Sequence, residues 1–252
     1  MVVGLVGSGS IARALARGWG DPVLATDAGS GRAAQLADEL GGRAAASNAE
    51  LAERADIVVL CHKPTQLDEV AREITGRARI VASVLAGVTL ADLHAAYADT
   101  PVFRLMPNTP VEVRQGVIVL ADDPEADRPL RAEVVELFER LGAVVGIAEE
   151  QMDVAMALMG CAPAYLALLA QAQVDAATAR GMDADTAARL VVETMGGTAA
   201  LLRARDHDAA AVRREVASPG GYTERGLHAL EGAGVPEALH TAMDVVTAPR
   251  RA

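Results

Sequence analysis

The chain has 252 residues, of which 51% are apolar, so it can bury a sizeable core and is not expected to be disordered. Its formal net charge of −11 argues against nucleic acid or an anionic membrane as a partner. Two cysteines, the absence of a basic leader and the absence of an uninterrupted run of about 18 apolar residues predict a cytoplasmic protein without a disulfide framework or a membrane span.

The first 150 residues alternate short apolar runs with amphipathic stretches. Strands are predicted at Val2–Val6, Pro22–Thr26, Asp56–Leu60, Arg79–Ser83, Pro101–Met106, Gly116–Leu120 and Gly142–Gly146. Helices are predicted at Ile11–Trp19, Arg32–Leu40, Gln66–Ile74 and Leu90–Ala96, and near Arg131–Arg140. This alternation predicts a mostly parallel sheet with helices on both faces.

The strand pattern stops after Glu149. Helices are predicted from there on, at Asp153–Arg180, Asp185–Arg205, Ala209–Ala217, Thr223–Gly232 and Pro236–Thr247. We therefore expect an α/β chain of two domains: an N-terminal Rossmann dinucleotide-binding domain over residues 1–148 and a C-terminal all-helical domain over residues 149–252.

A glycine-rich segment, GSGSIA, directly follows the first predicted strand and opens a helix. Its first glycine permits the tight turn, its second lets the backbone approach a pyrophosphate, and its alanine allows close helix–strand packing. The free amides and the dipole of the helix N-terminus favour an anion at this point. The residues expected to bind a dinucleotide here are Gly7, Ser8, Gly9, Ser10, Ile11 and Ala12.

The end of the second predicted strand bears on the choice of cofactor. Asp27 lies twenty positions after Gly7, where a carboxylate accepts hydrogen bonds from both ribose hydroxyls and repels a 2′-phosphate, so it favours NADH. An ordinary turn aspartate is the structural alternative. Ser30 and Arg32 lie just beyond and could hold a 2′-phosphate, so NADPH stays open.

Several motifs in order resemble the pyrroline-5-carboxylate reductase family, the last enzyme of proline synthesis, along nearly the whole chain. They are HKP at His62–Pro64, SVLAGVTL at Ser83–Leu90, RLMPNTPVEVRQG at Arg104–Gly116, GCAPAY at Gly160–Tyr165 and VASPGGYTERG at Val216–Gly226. The resemblance implies a helical domain that interlocks with a second subunit, giving a homodimer or a higher homo-oligomer. It also implies NADH- or NADPH-dependent reduction of the small cyclic imino acid 1-pyrroline-5-carboxylate to L-proline.

The resemblance also implies site residues. The cofactor groove would be lined further by Asn48, Cys61, His62, Lys63, Pro64, Leu85, Ala86, Gly87 and Asn108. Lys63 is the only lysine in the chain and would place a compact cation near the cofactor. Asn48 is equally a candidate for a helix N-cap. Glu149, Tyr222 and Thr223 would fall at the substrate, although a first-turn glutamate such as Glu149 also simply suits the helix dipole.

The segment SPGGYT adds a hypothesis from its own residues. Gly220 and Gly221 stand just before a predicted helix and could offer backbone amides to the substrate carboxylate. Ser218 reads as the N-cap of this helix, with Pro219 at its first position, and this role is compatible with a carboxylate site.

Two side chains that follow the glycines are the candidate catalytic groups. Thr223 can donate a hydrogen bond to the ring nitrogen or the carboxylate of the imine. Tyr222 carries a phenol that could supply a proton, or it could be a half-buried aromatic at a dimer interface.

Departures from the family pattern keep alternatives open. Met156, Met159 and Cys161 replace hydroxyls, and Tyr222 replaces a small residue or threonine, which suits a related cyclic imine that is six-membered, sulfur-containing or hydroxylated. A non-catalytic dinucleotide-binding homologue is a further alternative. A β-hydroxyacid dehydrogenase would need a lysine in the helical half, which has none. The five histidines show no ligand spacing, so we expect no metal site.

Overall fold

The computed structural model describes residues 1–248, and it divides into two compact units. The first is Met1–Cys161 and the second begins at Ala162. The boundary expected from the sequence, between residues 148 and 149, stays a prediction. The last four residues of the predicted helical domain, 249–252, lie outside the described residues.

The first unit contains an eight-stranded sheet. Its strands are β1 Val3–Val6, β2 Leu24–Thr26, β3 Arg43–Ala44, β4 Ile57–Leu60, β5 Val81–Ser83, β6 Val102–Pro107, β7 Gly116–Asp122 and β8 Gly142–Ala148. They lie in the order β3-β2-β1-β4-β5-β6-β7-β8, and every pair is parallel except β6 with β7. The predicted mostly parallel sheet is therefore confirmed, while β3, only two residues long, was not predicted.

Helices flank this sheet. They are α1 Ser10–Trp19, α2 Arg32–Leu40, α3 Asn48–Arg54, α4 Leu67–Ile74, α5 Leu90–Ala96, α6 Arg128–Glu139 and α7 Met152–Ala155, the last continuing into a π-helical turn at Met156–Gly160. Three 3₁₀ turns lie at Pro64–Gln66, Thr109–Val113 and Glu149–Gln151. Helix α3, which precedes the central strand β4, was not predicted.

The sheet separates two apolar cores. Successive residues of a strand point to opposite faces, so Ile57 and Val59 of β4 join one core and Val58 and Leu60 join the other. In the first core the Trp19 ring packs edge-on against an aromatic side chain of α6, and its indole N–H donates to a backbone carbonyl of α6 at 3.0 Å. The unit buries most of its large apolar side chains within itself, as a doubly covered parallel sheet requires.

The second unit is all-helical, as predicted. Its helices are α8 Ala162–Thr178, α9 Ala184–Arg203, α10 Ala209–Val216, α11 Tyr222–Gly232 and α12 Val235–Thr247. Among its described residues only Ala187 and Val212 are buried. Large apolar side chains are instead exposed, for example Leu168 at 69% and Val245 at 71%. The helical unit therefore does not cover its own apolar surface.

One helical run stands out for its apolar length. Glu149–Thr178 spans 30 residues with a mean hydropathy of 1.7 in its most apolar window, and only 17% of that window is buried. By length and composition this run is able to cross a bilayer. The sequence predicted no membrane span, because polar residues interrupt the run of apolar residues. A single such helix is weak evidence for a membrane span, because a helix that packs against other apolar surfaces meets the same criteria.

Candidate active site

A cleft of about 540 Å³ opens at the carboxyl ends of β1, β2 and β4. In parallel α/β sheets this edge is where ligands bind, because the loops that follow the strands meet there. The predicted cofactor residues that line it are Gly7, Ser8, Gly9, Asp27, Asn48, Cys61, His62 and Lys63. The structure thus brings half of the predicted cofactor set into one cleft.

The turn after β1 is built for close approach of backbone. Gly7 has a φ of +99°, and a Cβ on it would lie 2.7 Å from the backbone carbonyl atoms of Cys61. Gly9 is the opposite case, because a Cβ there would meet no protein atom within 4 Å. Gly7 is therefore required by the fold, whereas the space beside Gly9 is open to a ligand.

The N-terminus of α1 has unsatisfied donors. Gly9 occupies the N-cap position without a capping side chain, so the first amides of the helix, at Ser10, Ile11 and Ala12, have no intrahelical acceptor. The Ser8 hydroxyl does not cap the helix, since it donates to the Thr26 carbonyl at 3.0 Å. Open amides at a helix N-terminus beside a space without side chains fit the pyrophosphate of a dinucleotide.

Asp27 is fully occupied by its own loop. One carboxylate oxygen accepts from the amides of Gly29 and Ser30 at 2.8 and 3.0 Å, and the other accepts from the Ser30 hydroxyl at 2.9 Å and the Ala33 amide at 2.8 Å. These donors, the Ala33 amide first, lower the pKa of Asp27. A carboxylate has about four acceptor positions, so the turn-aspartate alternative describes this side chain as the structure has it.

Asn48 lies in the cleft but does not cap α3. Ser47 is the N-cap, and its side chain accepts from the Glu50 amide at 3.1 Å, so the alternative role of Asn48 as a cap is wrong. The Asn48 side chain accepts from the Thr26 hydroxyl at 2.6 Å and donates to Glu73 at 2.6 Å. Its hydrogen bonds therefore link the end of β2 to α4 across the cleft.

The segment after β4 supplies one cation and two neutral groups. Burial raises the pKa of the Cys61 thiol to about 12 and lowers the pKa of His62, so both are uncharged at neutral pH. The Nδ1 of His62 lies 2.9 Å from the Lys63 carbonyl, which fixes the proton on that nitrogen. Lys63 itself is exposed at the cleft, where its ammonium can face an anion.

Several predicted cofactor residues do not line this cleft. They are Pro64, Leu85, Ala86, Gly87 and Asn108, together with Ser10, Ile11 and Ala12, which begin α1 beside it. Leu85 is buried. Asn108 is used inside the fold, since its amide donates to the Met159 carbonyl at 3.2 Å and accepts from the Val117 amide at 2.9 Å. A buried amide with both ends engaged supports the backbone around it.

Glu149 is also engaged within the first unit. It accepts from Nη1 of Arg104 at 2.5 Å and from the Leu90 amide at 2.6 Å. The Arg104 side chain is only 6% exposed, so Glu149 is the counter-ion of a buried guanidinium. The structure thus assigns this side chain a partner, and the predicted substrate role of Glu149 stays a prediction.

The glycine joint of the second unit differs from the sequence expectation. Helix α11 begins at Tyr222 with Gly221 as its N-cap, so the prediction of Ser218 as N-cap and Pro219 at the first helical position is wrong. Residues 218–221 form a turn instead, in which the Gly221 amide donates to the Ser218 carbonyl at 3.0 Å. Gly220 has a φ of +72°, a conformation that favours glycine in this turn.

The backbone amides of Gly220 and Gly221 already donate hydrogen bonds within the protein. The Gly220 amide donates to the carboxylate of Glu224 at 2.7 Å, and the Gly221 amide is used by the turn. Helix α11 has no capping side chain, so the first amides of its opening turn, at Tyr222, Thr223 and Glu224, have no intrahelical acceptor. The donors left free at this joint therefore lie in the first turn of α11 and not at the two glycines.

The two candidate catalytic side chains lie on the surface of the helical unit. Tyr222 is 87% exposed, with the Arg225 guanidinium 4.8 Å from its ring centroid. Thr223 is exposed beside it. In the single chain the phenol is exposed and contacts a guanidinium, and the half-buried position at a dimer interface stays a prediction.

Sequence reasoning missed two groups. Glu69 and Glu73 of α4 line the cofactor cleft, and only the position of α4 directly after β4 could have indicated them. Glu224 was missed although a signal existed, because a glutamate three residues after an N-cap position is typical of a capping box. Within residues 1–248 no group of three or more His, Cys, Asp and Glu side chains is placed to hold a metal ion.

Comparison with known proteins agrees with the resemblance seen in the motifs. Residues 149–251 match the family model for pyrroline-5-carboxylate reductase dimerisation, and residues 2–87 match the model for NADP oxidoreductase, coenzyme F420-dependent. The pyrroline-5-carboxylate reductase of Corynebacterium melassecola is 31% identical over 95% of this chain and 94% of its own. That of Pseudomonas aeruginosa is 30% identical over 97% and 94%.

This chain belongs to the pyrroline-5-carboxylate reductase family. It is thus a member of a family of oxidoreductases that act on a C=N bond with a nicotinamide dinucleotide. The crystal structure of 1-pyrroline-5-carboxylate reductase from Streptococcus pyogenes superposes with a TM-score of 0.88 at 27% identity, covering 98% of this chain and 96% of the other. The predicted fold class, a Rossmann domain followed by a helical dimerisation domain, is confirmed.

Proposed function

We propose that this protein reduces 1-pyrroline-5-carboxylate to L-proline with a reduced nicotinamide dinucleotide. The observation that carries the proposal is the open amide cradle at Gly9 and the start of α1, in a chain that belongs to the pyrroline-5-carboxylate reductase family. A cradle with no side chain and no capping group is suited to a pyrophosphate. The relatives named above supply the choice of imine.

The chemistry asks little of the protein. When bound, the dinucleotide supplies a hydride from its nicotinamide ring, which adds to the carbon of the protonated C=N bond while the nitrogen keeps the electron pair of the former double bond. The side chains then have to orient the imine, hold its carboxylate and exclude water. The neutral state of Cys61 and His62 is compatible with these tasks, since no covalent step is needed.

The carboxylate of the imine is assigned to the start of α11. The free amides of Tyr222 and Thr223 are the donors on offer, and the Arg225 guanidinium adds positive charge to the same turn. We propose that the Thr223 hydroxyl donates to the ring nitrogen or the carboxylate, and that Tyr222 contacts the imine. Ser218, Gly220 and Gly221 then shape the turn. Glu149 is proposed only as an indirect contributor, because it already accepts hydrogen bonds from Arg104 and the Leu90 amide.

The helical unit is proposed to form a homodimer or a higher homo-oligomer. It buries just two apolar side chains among its described residues, and a unit of this size cannot be stable with so small a core. The match to a dimerisation model over residues 149–251 points to a second copy as the cover. A dimer would also account for the apolar run Glu149–Thr178 in a cytoplasmic protein, the location that the composition predicts.

A spectrophotometric assay tests the proposal. Purified protein is mixed with NADH or NADPH and with a panel of five- and six-membered cyclic imino acids, and oxidation of the cofactor is followed. We expect turnover of 1-pyrroline-5-carboxylate. Thr223→Val should lower kcat/KM about tenfold, the value of one hydrogen bond to a charged group, whereas Thr241→Val, which removes a similar hydroxyl on α12, should leave it unchanged.

The panel also separates the alternatives. A clear preference for a six-membered, sulfur-containing or hydroxylated imine would replace the proposed substrate, and this is the outcome that Met156, Cys161 and Tyr222 favour. Met159 supports it less, since its side chain is packed in a buried cluster with Leu90. Tight cofactor binding without turnover of any imine would instead indicate a non-catalytic homologue.

A further inference from the structure

The loop between β2 and α2 is the part of the cofactor cleft that faces the adenosine ribose in dinucleotide-binding folds. It runs from Asp27 to Arg32, and Asp27, Ser30 and Arg32 all line the cleft. Whether a cofactor carries a hydroxyl or a phosphate at the ribose 2′ position is decided by the groups displayed here. The inference below rests on the dinucleotide cleft of the proposed function but not on its imine substrate.

Asp27 is not available to a ribose diol. Its four acceptor positions are filled by Gly29, Ser30 and Ala33, at distances between 2.8 and 3.0 Å. Three of these donors are backbone amides, so the carboxylate acts as the internal latch of the loop. Contact with a ribose hydroxyl would require one of these bonds to break, which removes the advantage that an aspartate normally gives to NADH.

Arg32 is in the opposite situation. It is the first residue of α2, it is exposed, and it lines the cleft. Within residues 1–248 its side chain makes no hydrogen bond and no ion pair, and it does not pair with the nearby Asp27. A guanidinium is suited to bidentate binding of phosphate, and a free one needs no existing bond to be broken.

Two further acidic side chains line the cleft. Glu73 accepts a hydrogen bond from Asn48, and Glu69 lies on the same helix, α4. Asp27 keeps its negative charge while its four donors occupy its acceptor positions, whereas the guanidinium of Arg32 has no described partner. The loop after β2 therefore presents to a ligand a carboxylate whose hydrogen-bonding positions are filled, that of Asp27, and a guanidinium whose donors are free, that of Arg32.

We propose that Arg32 is the specificity-determining residue for the 2′-phosphate, so that the protein prefers NADPH to NADH. Asp27 holds the loop in the shape that places Arg32 at the cleft. The expectation of NADH from the position of Asp27 alone is opposed by the hydrogen bonds that this side chain makes.

Titration calorimetry without imine tests the proposal. The probes are adenosine 2′,5′-bisphosphate and adenosine 5′-monophosphate, which differ only in the 2′-phosphate, followed by NADPH and NADH. We expect the wild type to bind each phosphorylated probe about tenfold or more tightly than its partner, and Arg32→Gln to remove this difference. The preference should also shrink as ionic strength rises, because the contact is exposed.

Arg128→Gln is the matched control. Arg128 is also the exposed first residue of a helix, α6, makes no described ion pair and does not line the cleft. This variant carries the same charge change and should keep the wild-type preference. Arg32→Lys should keep part of the preference for the 2′-phosphate, since the positive charge remains but the bidentate guanidinium is lost.

Each outcome decides the matter. Equal affinity for the two probes, tighter binding of the monophosphate, or a preference that survives Arg32→Gln would each overturn the proposal. Absence of binding for all four compounds would overturn it together with the cofactor cleft. A 2′-phosphate preference in a protein that does not turn over 1-pyrroline-5-carboxylate would support the proposal and reject only the assigned imine.

Discussion

Two glycine-containing loops precede helices α1 and α11, and they differ in whether the amide of a loop glycine is already hydrogen-bonded to a side chain. At Gly9 no capping side chain is present and no protein atom fills the space where a Cβ would stand. At Gly220 the amide is already bound by the carboxylate of Glu224. Glycine-rich sequence before a helix therefore does not by itself define an anion site, because a carboxylate from the first turn of the helix can already accept from a loop amide.

The loop at Asp27 is a second self-satisfied loop. Its carboxylate accepts from three backbone amides in the same way that Glu224 accepts from one. An open loop offers its amides to a ligand, whereas a self-satisfied loop must either exchange its internal carboxylate for the ligand or bind the ligand with other groups. Variants at the three loops test this difference.

The largest effect is expected at the open loop. Gly9→Val places a side chain in the space proposed for the pyrophosphate, so the affinity for either dinucleotide should fall about a hundredfold or more, as measured by calorimetry. The fold should persist, because no protein atom lies within 4 Å of the new Cβ. Unchanged affinity would show that the pyrophosphate does not bind at α1. Gly7→Val is the contrasting variant, since its Cβ clashes with the Cys61 backbone and should impair folding itself.

An intermediate effect is expected at the Asp27 loop. Asp27→Asn replaces one acceptor oxygen by an NH₂ group that faces donors, so the free energy of unfolding should fall by about 1 kcal/mol at pH 7. Because the pKa of Asp27 is lowered in the folded state, the carboxylate stabilises the fold above its ordinary pKa of about 3.9 and loses this contribution as the pH falls through its folded value. The gap between wild type and variant in urea unfolding should therefore close in acid.

Asp99→Asn controls for the loss of a surface carboxylate. Asp99 is exposed and has no hydrogen-bond or ion-pair partner among the described residues. The free energy of unfolding of Asp99→Asn should match that of the wild type at every pH. A gap for Asp27→Asn that widens as the pH falls below 4 would contradict the role of Asp27 as a charged latch.

The smallest effect is expected at Glu224. Its carboxylate occupies the Gly220 amide and would repel the carboxylate of an imino acid, so Glu224→Gln should lower the KM for 1-pyrroline-5-carboxylate about threefold at low salt. Glu237→Gln makes the same charge change in the first turn of α12 and should not alter KM. A KM that rises in Glu224→Gln would mean that the internal carboxylate shapes the substrate site rather than competes for it.

The sequence was sufficient for the fold because local patterns and topology agreed. The apolar runs that became β1 and β4 are buried on both sides, so their composition alone marks them as central parallel strands. The two-residue strand β3 was not predictable, since two exposed residues, Arg43 and Ala44, carry no periodicity. The glycine cradle was predictable because its function requires particular residue types at a particular spacing.

The roles of individual polar residues were harder to predict. Asp27, Asn48, Asn108 and Glu149 each have a residue type suited to a ligand, yet each makes hydrogen bonds within the protein. Such bonds join positions far apart in the chain, for example Arg104 with Glu149, and sequence spacing does not reveal them. The state of a polar side chain, free or engaged, is therefore a property of the folded structure.

The ion pair between Arg104 and Glu149 also determines where the chain can be divided. A fragment that stopped at residue 148 would keep the guanidinium of Arg104 within the sheet unit and discard its counter-ion, and a buried charge left unpaired in this way is strongly destabilising. A fragment that continued to Cys161 would keep the pair and the acceptor for the Leu90 amide. The first unit thus includes, after its last strand, a glutamate that its buried arginine requires.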